Sequence, residues 1–475
     1  MNPKRLPAVI ARHDASAHRL RVLTCIALLA LAVASAACST ASSAIRTPVH
    51  RVPTATPHPT ASPIPLQVRL LEDGGLGVIE VAFNRIVDEH VTPVDEAALL
   101  AAAWGGVQTA ARSQHVPEPD APSFTGNRAV DIDRFRRAWF SLPEELAFYP
   151  PTRWTAVRSM ARSINDCHTY FLGPELPGSN NDPQNRTLSG FGMTLSGKPP
   201  VVAEIETEPY SPAAVARLQP GDSLLSIDGE DTTSMSPLGV LILLDGHEEG
   251  DNVDIRLHRP GQFEPVTVTL NLAEYSPQNL QAKVLDGGIG YVRIHDWMDR
   301  NLTRQLVTAF SRFDNSKVKR WILDLRGNPG GIITPAAISL FVPDGVAVRG
   351  RRRDGVIEDD PATGYVLSVL KPLDVLVDDG SASMSEIFAL ALQEHHVARL
   401  VGTKTDGCIG ETFIDDIGDG SGLAVSFETM LGPVTGAELN GVGITPDVIA
   451  PRTVDDLTAG RDPQLDAAIA DLNTQ

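Results

Sequence analysis

The sequence predicts an α/β protein built from several parts, in multi-domain α+β fashion: a helical N-terminal region followed by a layered α/β core. Three observations predict it. At 475 residues the chain exceeds one ordinary domain. Up to Phe171 its apolar residues recur at helical spacing. Beyond Leu285, short β-branched runs alternate with helical ones: Ile289–Ile294, Trp321–Leu325, Leu373–Val377 and Leu400–Gly402 read as strands, and Asn301–Phe313, Pro335–Phe341 and Ser385–His395 as helices.

Met1–Arg21 is a basic leader, and Val22–Ala36 is an apolar run ending in small residues, short of the ~20 residues a membrane span needs. Residues 1–37 therefore read as a signal peptide and the body as exported. Ser35-Ala36-Ala37-Cys38 resembles a bacterial lipobox, which would make Cys38 a lipidated N-terminus and anchor the chain to a membrane. Ser35 departs from the usual aliphatic residue there, and cleavage at an A-x-A-like site is the alternative. Residues 38–66 form a linker, with prolines at 48, 53, 57, 59, 63 and 65 keeping it extended and coreless. The formal charge is −19, and since residues 1–37 carry a net +4, the remainder carries −23. So acidic a body argues against nucleic acid or an anionic membrane surface as a direct ligand.

Residues 67–188 read as mostly helical. Ile79, Phe83, Ile86 and Val87 share one face, Val94–Val107 is rich in alanine and leucine, and Asp131–Leu142 is a further amphipathic stretch. Gln114–Asn127 is a polar, proline-bearing interruption. The helical part ends in Asp166-Cys167-His168-Thr169.

Within Leu373–Glu394 a buried-strand run meets the turn residues Asp378-Asp379-Gly380-Ser381, and helical spacing follows at Ile387, Leu390, Ala391 and Leu392. Serines 381, 383 and 385 crowd the junction. A serine there projects from a rigid corner beside backbone N–H groups at the positive end of a helix, donors able to hold an oxyanion. Ser383-x-x-Glu386 is equally a capping box, which needs no catalysis to explain it.

Upstream stands W-I-L-D-L-R-G-N-P-G-G (Trp321–Gly331) and downstream G-V-G-I-T-P-D (Gly441–Asp447). In this order the three segments resemble the C-terminal processing (tail-specific) serine peptidases, which carry D-L-R-x-N-x-G-G, G-S-A-S-x-S-E and G-x-G-I-x-P-D. Asp166–Thr169 is similar to their D-x-H-T element. Residues 189–274 resemble a PDZ domain, most specifically in Ser211–Asp222 and Leu224–Gly229. Residues 456–475 read as a terminal helix that packs on the core or makes an oligomer contact, and the resemblance implies a ClpP/crotonase-like layered core over 275–455. It implies Ser383 as nucleophile, with the N–H of Gly330 or Gly331 joining that of Met384 in an oxyanion hole. It also implies a carboxylate-binding loop at Gly190, Phe191, Gly192 and Met193 that takes protein or peptide substrates by their free C-terminal tails. An exported serine endopeptidase working through an acyl-enzyme needs no cofactor. No metal-ligand spacing stands out, and His395-His396 reads as a helix end.

One departure from the family matters. A serine hydroxyl needs an adjacent base, and the family's base is a lysine 25 residues after the serine. Here that position is Cys408, and Lys404 is out of register. Three readings stay open. His168 serves as base, as in tricorn-like and chlamydial secreted relatives, with Asp166 or Glu438 orienting it. Alternatively the chain binds tails without cleaving them, as a pseudo-peptidase. Or Lys404, or Cys408 itself, takes part. Apart from Cys25 and Cys38, the only cysteines are Cys167 and Cys408. Each replaces a usual family residue near the expected site, and export permits disulfides. A Cys167–Cys408 bond is therefore expected, one that would remove Cys408 from the chemistry.

Overall fold

One apolar seam organises the helical region. In the computed structural model, α1 (Leu76–Glu89) and α2 (Glu96–Ser113) bury Ile79, Phe83, Ile86, Leu100 and Trp104 against α3 (Arg128–Trp139), α4 (Glu144–Ala147) and α5 (Pro150–Ser163). The structure describes residues 73–173, 191–206, 211–245, 247, 250–272, 275, 278–312, 317–332, 334–364, 367 and 372–475. The expected signal peptide, Cys38, the linker and Gly190 lie outside them. All described residues belong to the unit Ile64–Gln475.

Helix α2 starts where the Asp95 carboxylate accepts the N–H groups of Ala97 and Ala98. It crosses α5 at Gly106, where a Cβ would stand 2.4 Å from the Thr155 carbonyl oxygen, so no larger residue fits. Sequence reading gave α5 no bounds of its own within the helical region, and the helix opens on Pro150-Pro151. In a first helical turn those N–H groups have no partner to lose, and proline is compatible there. Beyond α5 the chain turns at Asn165, in left-handed conformation at φ 57°, into the Asp166–Thr169 loop and then β1 (Tyr170–Leu172).

A small antiparallel domain follows: β2 (Met193–Ser196), β3 (Val201–Ile205), α6 (Pro212–Val215), β4 (Ser223–Ile227), β5 (Glu230–Asp231), α7 (Pro237–Asp245), β6 (Asn252–His258) and β7 (Val266–Asn271). Its sheet runs β2-β3-β4-β6-β7, with β5 on β4, so β2 is an edge strand. Strand β6 alternates exposed and buried along its whole length, and Val253, Ile255 and Leu257 enter the domain's core with Leu224 and Val240. The domain leans on the next layer: the Gly197 N–H donates to Asp379 Oδ2 at 2.6 Å, and Arg293 pairs with Glu204.

The core comprises β8 (Leu280–Leu285), β9 (Ile289–Ile294), α8 (Leu302–Arg312), β10 (Arg320–Asp324), α9 (Pro335–Ile338), β11 (Val346–Arg352), β12 (Ile357–Pro361), β13 (Leu373–Val377), α10 (Met384–Glu394), β14 (Arg399–Gly402), β15 (Gly410–Asp416), β16 (Gly422–Leu431), β17 (Val448–Ile449), α11 (Val454–Thr458) and α12 (Pro463–Leu472). One sheet runs β17-β14-β13-β10-β9-β8 and is parallel except for β8 on β9. Leu323, Val375 and Leu400 face a core shared with Phe310 of α8 and Phe388 of α10. Ile322, Leu376 and Val401 face the opposite way, against Ala468 and Leu472 of α12. Cover on both faces explains why these strands read as continuous apolar runs.

A second, antiparallel sheet, β1-β16-β11-β12 with β15 on β16, was not foreseen. Its outer strand β12 has every residue exposed, and its other outer strand β1 is only three residues long, so neither carries much hydrophobic pattern. The single terminal helix expected over 456–475 is instead two, α11 and α12. Gly460 at φ 66° ends one turn, and Pro463 at the first position opens the next helix behind Asp462. Helix α12 packs on the core sheet.

The second sheet joins the helical region to the core. Besides the β1–β16 pairing, the buried Asp419 carboxylate accepts Arg153 Nε at 2.7 Å and Trp154 Nε1 at 2.9 Å. Asp419→Ala leaves the nearly buried Arg153 charge unpaired. We expect it to lower the unfolding free energy by about 3 kcal/mol, read as a fall in the urea midpoint; an unchanged midpoint would show that the pair contributes nothing.

Candidate active site

The three serines after β13 have three different partners. Ser381 Oγ donates to the Leu325 carbonyl oxygen at 2.8 Å, and Ser385 Oγ accepts Trp297 Nε1–H at 2.9 Å. Ser381 Oγ also reaches Asp378 Oδ1 at 3.4 Å, whereas Ser383 Oγ is the one that faces an imidazole, His168 Nε2 at 3.3 Å. Ser383 itself holds φ 52° and ψ −120°, a conformation that L-residues avoid and that a surrounding frame must impose.

That frame is built on Glu386, buried on the first turn of α10. Its Oε2 accepts the N–H of Cys408 at 2.8 Å and of Ser383 at 3.2 Å, and its Oε1 accepts the Gly407 N–H at 2.9 Å and the Thr405 hydroxyl. The Ser383 N–H is shared with the Cys408 carbonyl oxygen at 2.8 Å. Burial pushes the Glu386 carboxyl up to about 8, against these donors. The capping-box signature in the sequence is therefore real, and its carboxylate also ties the 405–408 loop to the helix start.

His168 arrives from the other side. The Asp166 carboxylate accepts the backbone N–H groups of His168 at 2.7 Å and Thr169 at 2.6 Å, and its second oxygen meets His90 Nε2 at 2.6 Å. Burial by itself would lower the His90 pKa; the hydrogen bonds to Asp166 and to the Thr92 carbonyl offset that, and it is raised. Burial likewise opposes the charge on Asp166, yet the His90 bond holds its carboxyl below the ordinary range. Sequence reading missed His90, which lies 76 residues from Asp166 with no local pattern to mark it.

Cys167 and Cys408 form a disulfide with Cα atoms 5.8 Å apart, joining the helical region's last loop to the core beside Ser383. Both sulfurs lie 3.4 Å from His168 Nδ1. The imidazole is buried, and desolvation pushes its pKa down to about 4, with the Asp166 charge opposing.

Of the expected oxyanion donors, the Gly330 N–H is committed to Asn328 Oδ1 at 2.9 Å. Its Cα instead abuts the corner: a Cβ there would lie 2.5 Å from Ser383 Cβ and 2.9 Å from the Met384 nitrogen. Among the described residues, no acceptor takes the N–H of Gly331 or of Met384.

Other candidates are not brought to this corner. Glu438 is engaged with Arg351 at 2.7 Å near the surface and orients no histidine. Asp166 orients the His168 backbone rather than its ring. Lys404 is exposed and lines a separate cavity of about 650 Å³, with Lys198, Asp379, Asp406 and Arg452 among its walls. Cys408, being disulfide-bonded, offers no thiol. His395 Nε2 bonds the Val346 carbonyl oxygen at 2.8 Å, which settles it as a structural group. In the small domain, the Phe191 carbonyl accepts the Ala213 N–H and the Gly192 carbonyl the Glu206 N–H, fixing the loop that feeds edge strand β2. Met193 starts that strand.

A serine at a strand–turn–helix corner with an imidazole 3.3 Å from its hydroxyl, carried on a layered α/β core, is the arrangement of a serine hydrolase. The model of peptidase family S41 matches residues 288–450, and that of the PDZ domain residues 181–257. The carboxyl-terminal-processing protease of Synechocystis sp. is 30% identical over 348 residues, covering 70% of this chain and 80% of that protein. The chloroplastic C-terminal processing peptidase of Tetradesmus obliquus is 30% identical over 353 residues, covering 68% and 75%. The solved structure of a photosystem II D1 C-terminal processing protease superimposes with a TM-score of 0.53 at 21% identity, over 85% of this chain and 100% of that one, a likeness of fold. The chain belongs to the carboxyl-terminal processing protease family of S41 serine peptidases and carries that family's PDZ domain. It is a peptide-bond hydrolase acting on peptide or protein substrates.

Because the two sulfurs are bonded, iodoacetamide should label Cys167 and Cys408 only after reduction, each located by peptide mapping. Labelling of both in the native, unreduced chain would remove the bond.

Proposed function

We propose that this chain is an exported tail-specific peptidase in which Ser383 attacks the scissile carbonyl and His168, rather than a lysine, takes the hydroxyl proton. The single observation behind this is the 3.3 Å approach of His168 Nε2 to Ser383 Oγ, at a corner where the lysine position is a disulfide-bonded cysteine. A ring whose pKa is pushed down to about 4 is neutral at pH 7, so Nε2 holds a lone pair for the serine proton. As Oγ bonds to the carbonyl carbon, negative charge moves to the carbonyl oxygen, where the amides of Met384 and Gly331 stand as donors. The imidazolium formed is buried, and the Asp166 charge favours it through space. Its proton then passes to the leaving amine, and water, activated by the same ring, releases the acyl-enzyme.

Substrate delivery follows from the small domain. Strand β2 is a sheet edge beginning at the Phe191–Met193 loop. A C-terminal tail added there as a further strand, with its carboxylate on the loop amides, would lie beside the Asp379–Gly380 turn that leads to Ser383. The basic leader and short apolar run support export, and Cys38 supports a lipid anchor.

Ser383→Ala and His168→Ala should each lower peptide turnover by about 10³-fold or more without loss of the native circular-dichroism spectrum; turnover by Ser383→Ala equal to wild type would reject the mechanism. The acid limb of kcat/KM should fall near pH 4, below the ordinary histidine range. Since the folded pKa lies below the unfolded 6.5, the neutral ring contributes stability above pH 6.5 that is lost as the pH falls toward 4. Incorporation of labelled fatty acid that disappears in Cys38→Ala would establish the anchor; label retained in that variant places it elsewhere.

A further inference from the structure

We propose that the disulfide conceals a metal site: once it is reduced, Cys167, His168 and Cys408 form a thiolate–imidazole site for a soft divalent cation, zinc by the chemistry of the donors, and the bound ion takes the base away from Ser383. The three donor atoms lie within 4.8 Å of one another, and His168 Nδ1 is 3.4 Å from each sulfur. Tetrahedral zinc, with bonds of about 2.3 Å to sulfur and about 2.0 Å to nitrogen, requires sulfur–nitrogen edges of about 3.5 Å and a sulfur–sulfur edge of about 3.8 Å. Two edges of that triangle already stand near the required length, and the third opens when the bond between the sulfurs is cut.

The chemistry balances. Two molecules of a small thiol reduce the protein disulfide by exchange and leave as one small-molecule disulfide, so the protein gains two thiols. Zinc then replaces the two thiol protons. Two thiolates and a neutral imidazole around a divalent ion carry no net charge, which suits a site where His168 and Cys408 are buried. Cys167 is the partly exposed member and gives reductant and ion their point of entry.

The consequence for the serine follows from which ring nitrogen faces which neighbour. Nδ1 lies 3.4 Å from both sulfurs and is the nearer nitrogen to Cys408 Sγ, which stands 3.7 Å from Nε2, while Nε2 faces Ser383 Oγ at 3.3 Å. A metal on Nδ1 leaves the neutral ring's proton on Nε2, so the ring donates to the hydroxyl instead of accepting its proton. Capture of the ion is independent of the proposed role of His168; loss of activity on capture rests on that role.

The test uses the mature chain and its Ser383→Ala variant, each reduced with a small thiol, desalted anaerobically and titrated first with cobalt(II) and then with zinc(II). Both should take up one cobalt per chain, with an intense near-ultraviolet thiolate-to-cobalt band and the visible bands of tetrahedral cobalt, all abolished by zinc. The unreduced chain should show none of these bands. Reduced Cys408→Ser should lose the two-sulfur charge-transfer band, and His168→Ala, lacking one of the three ligands, should bind roughly tenfold or more weakly. In the wild type, turnover should fall in step with zinc uptake and return with a chelator. A reduced chain that keeps its native circular dichroism yet shows no thiolate–cobalt band overturns the site. A full band with undiminished turnover overturns the shut-off, and with it His168 as base, while the site itself stands. If reduction alone unfolds the chain, recovery of the native spectrum on adding zinc supports the site and failure to recover overturns it.

Discussion

One buried carboxylate holds the catalytic corner together. Glu386 gathers donors from the start of α10 and from the 405–408 loop, and it accepts the buried N–H groups of Gly407 and Cys408 away from water. With the loop held, Cys408 is held. The disulfide then carries the constraint to Cys167, and so to the adjacent imidazole. The contact between His168 and Ser383 is the last link of a closed ring of constraints that begins and ends on the same helical turn. The unfavourable backbone of Ser383 persists because this ring over-determines it.

Under the proposed mechanism, the same ring stands in for the lysine that the family resemblance expects at position 408. In place of an amine reaching the serine from the 408 position, this chain has a covalent tie that presses the neighbouring loop inward. The donor and acceptor roles are then divided. Asp166 spends its charge on backbone N–H groups and on His90, and the ring it supports meets sulfur, not carboxylate, on its far nitrogen. The imidazole is thereby poised neutral by burial instead of being tuned by a hydrogen-bonded acid.

Much of this was legible in the chain, for identifiable reasons. Parallel strands covered on both faces leave unbroken apolar runs, so β9, β10, β13 and β14 could be read within a residue or so. The turn chemistry before Ser383 and its Glu386 signature marked the corner, and the family motifs ordered the parts. What escaped was whatever depends on pairings distant in sequence. The polar strands β11, β12 and β15 have no periodicity to betray them, and α5, which opens on two prolines that its first turn tolerates, was given no bounds of its own. His90 is useful only through a contact with Asp166 that nothing local announces. Glu438 was suggested by chain position alone, and an exposed arginine claims it.

The bond between residues 167 and 408 has a further consequence. With its ends separated by 241 positions in sequence, it encloses the small domain, the core strands up to β14 and the serine itself in one covalent loop. In the chain-entropy description, closing so long a loop is worth about 5 kcal/mol against the unfolded ensemble. Its topology also matters after damage. A backbone cut anywhere within that span opens a ring without releasing a fragment, so a chain nicked there stays in a single covalent piece.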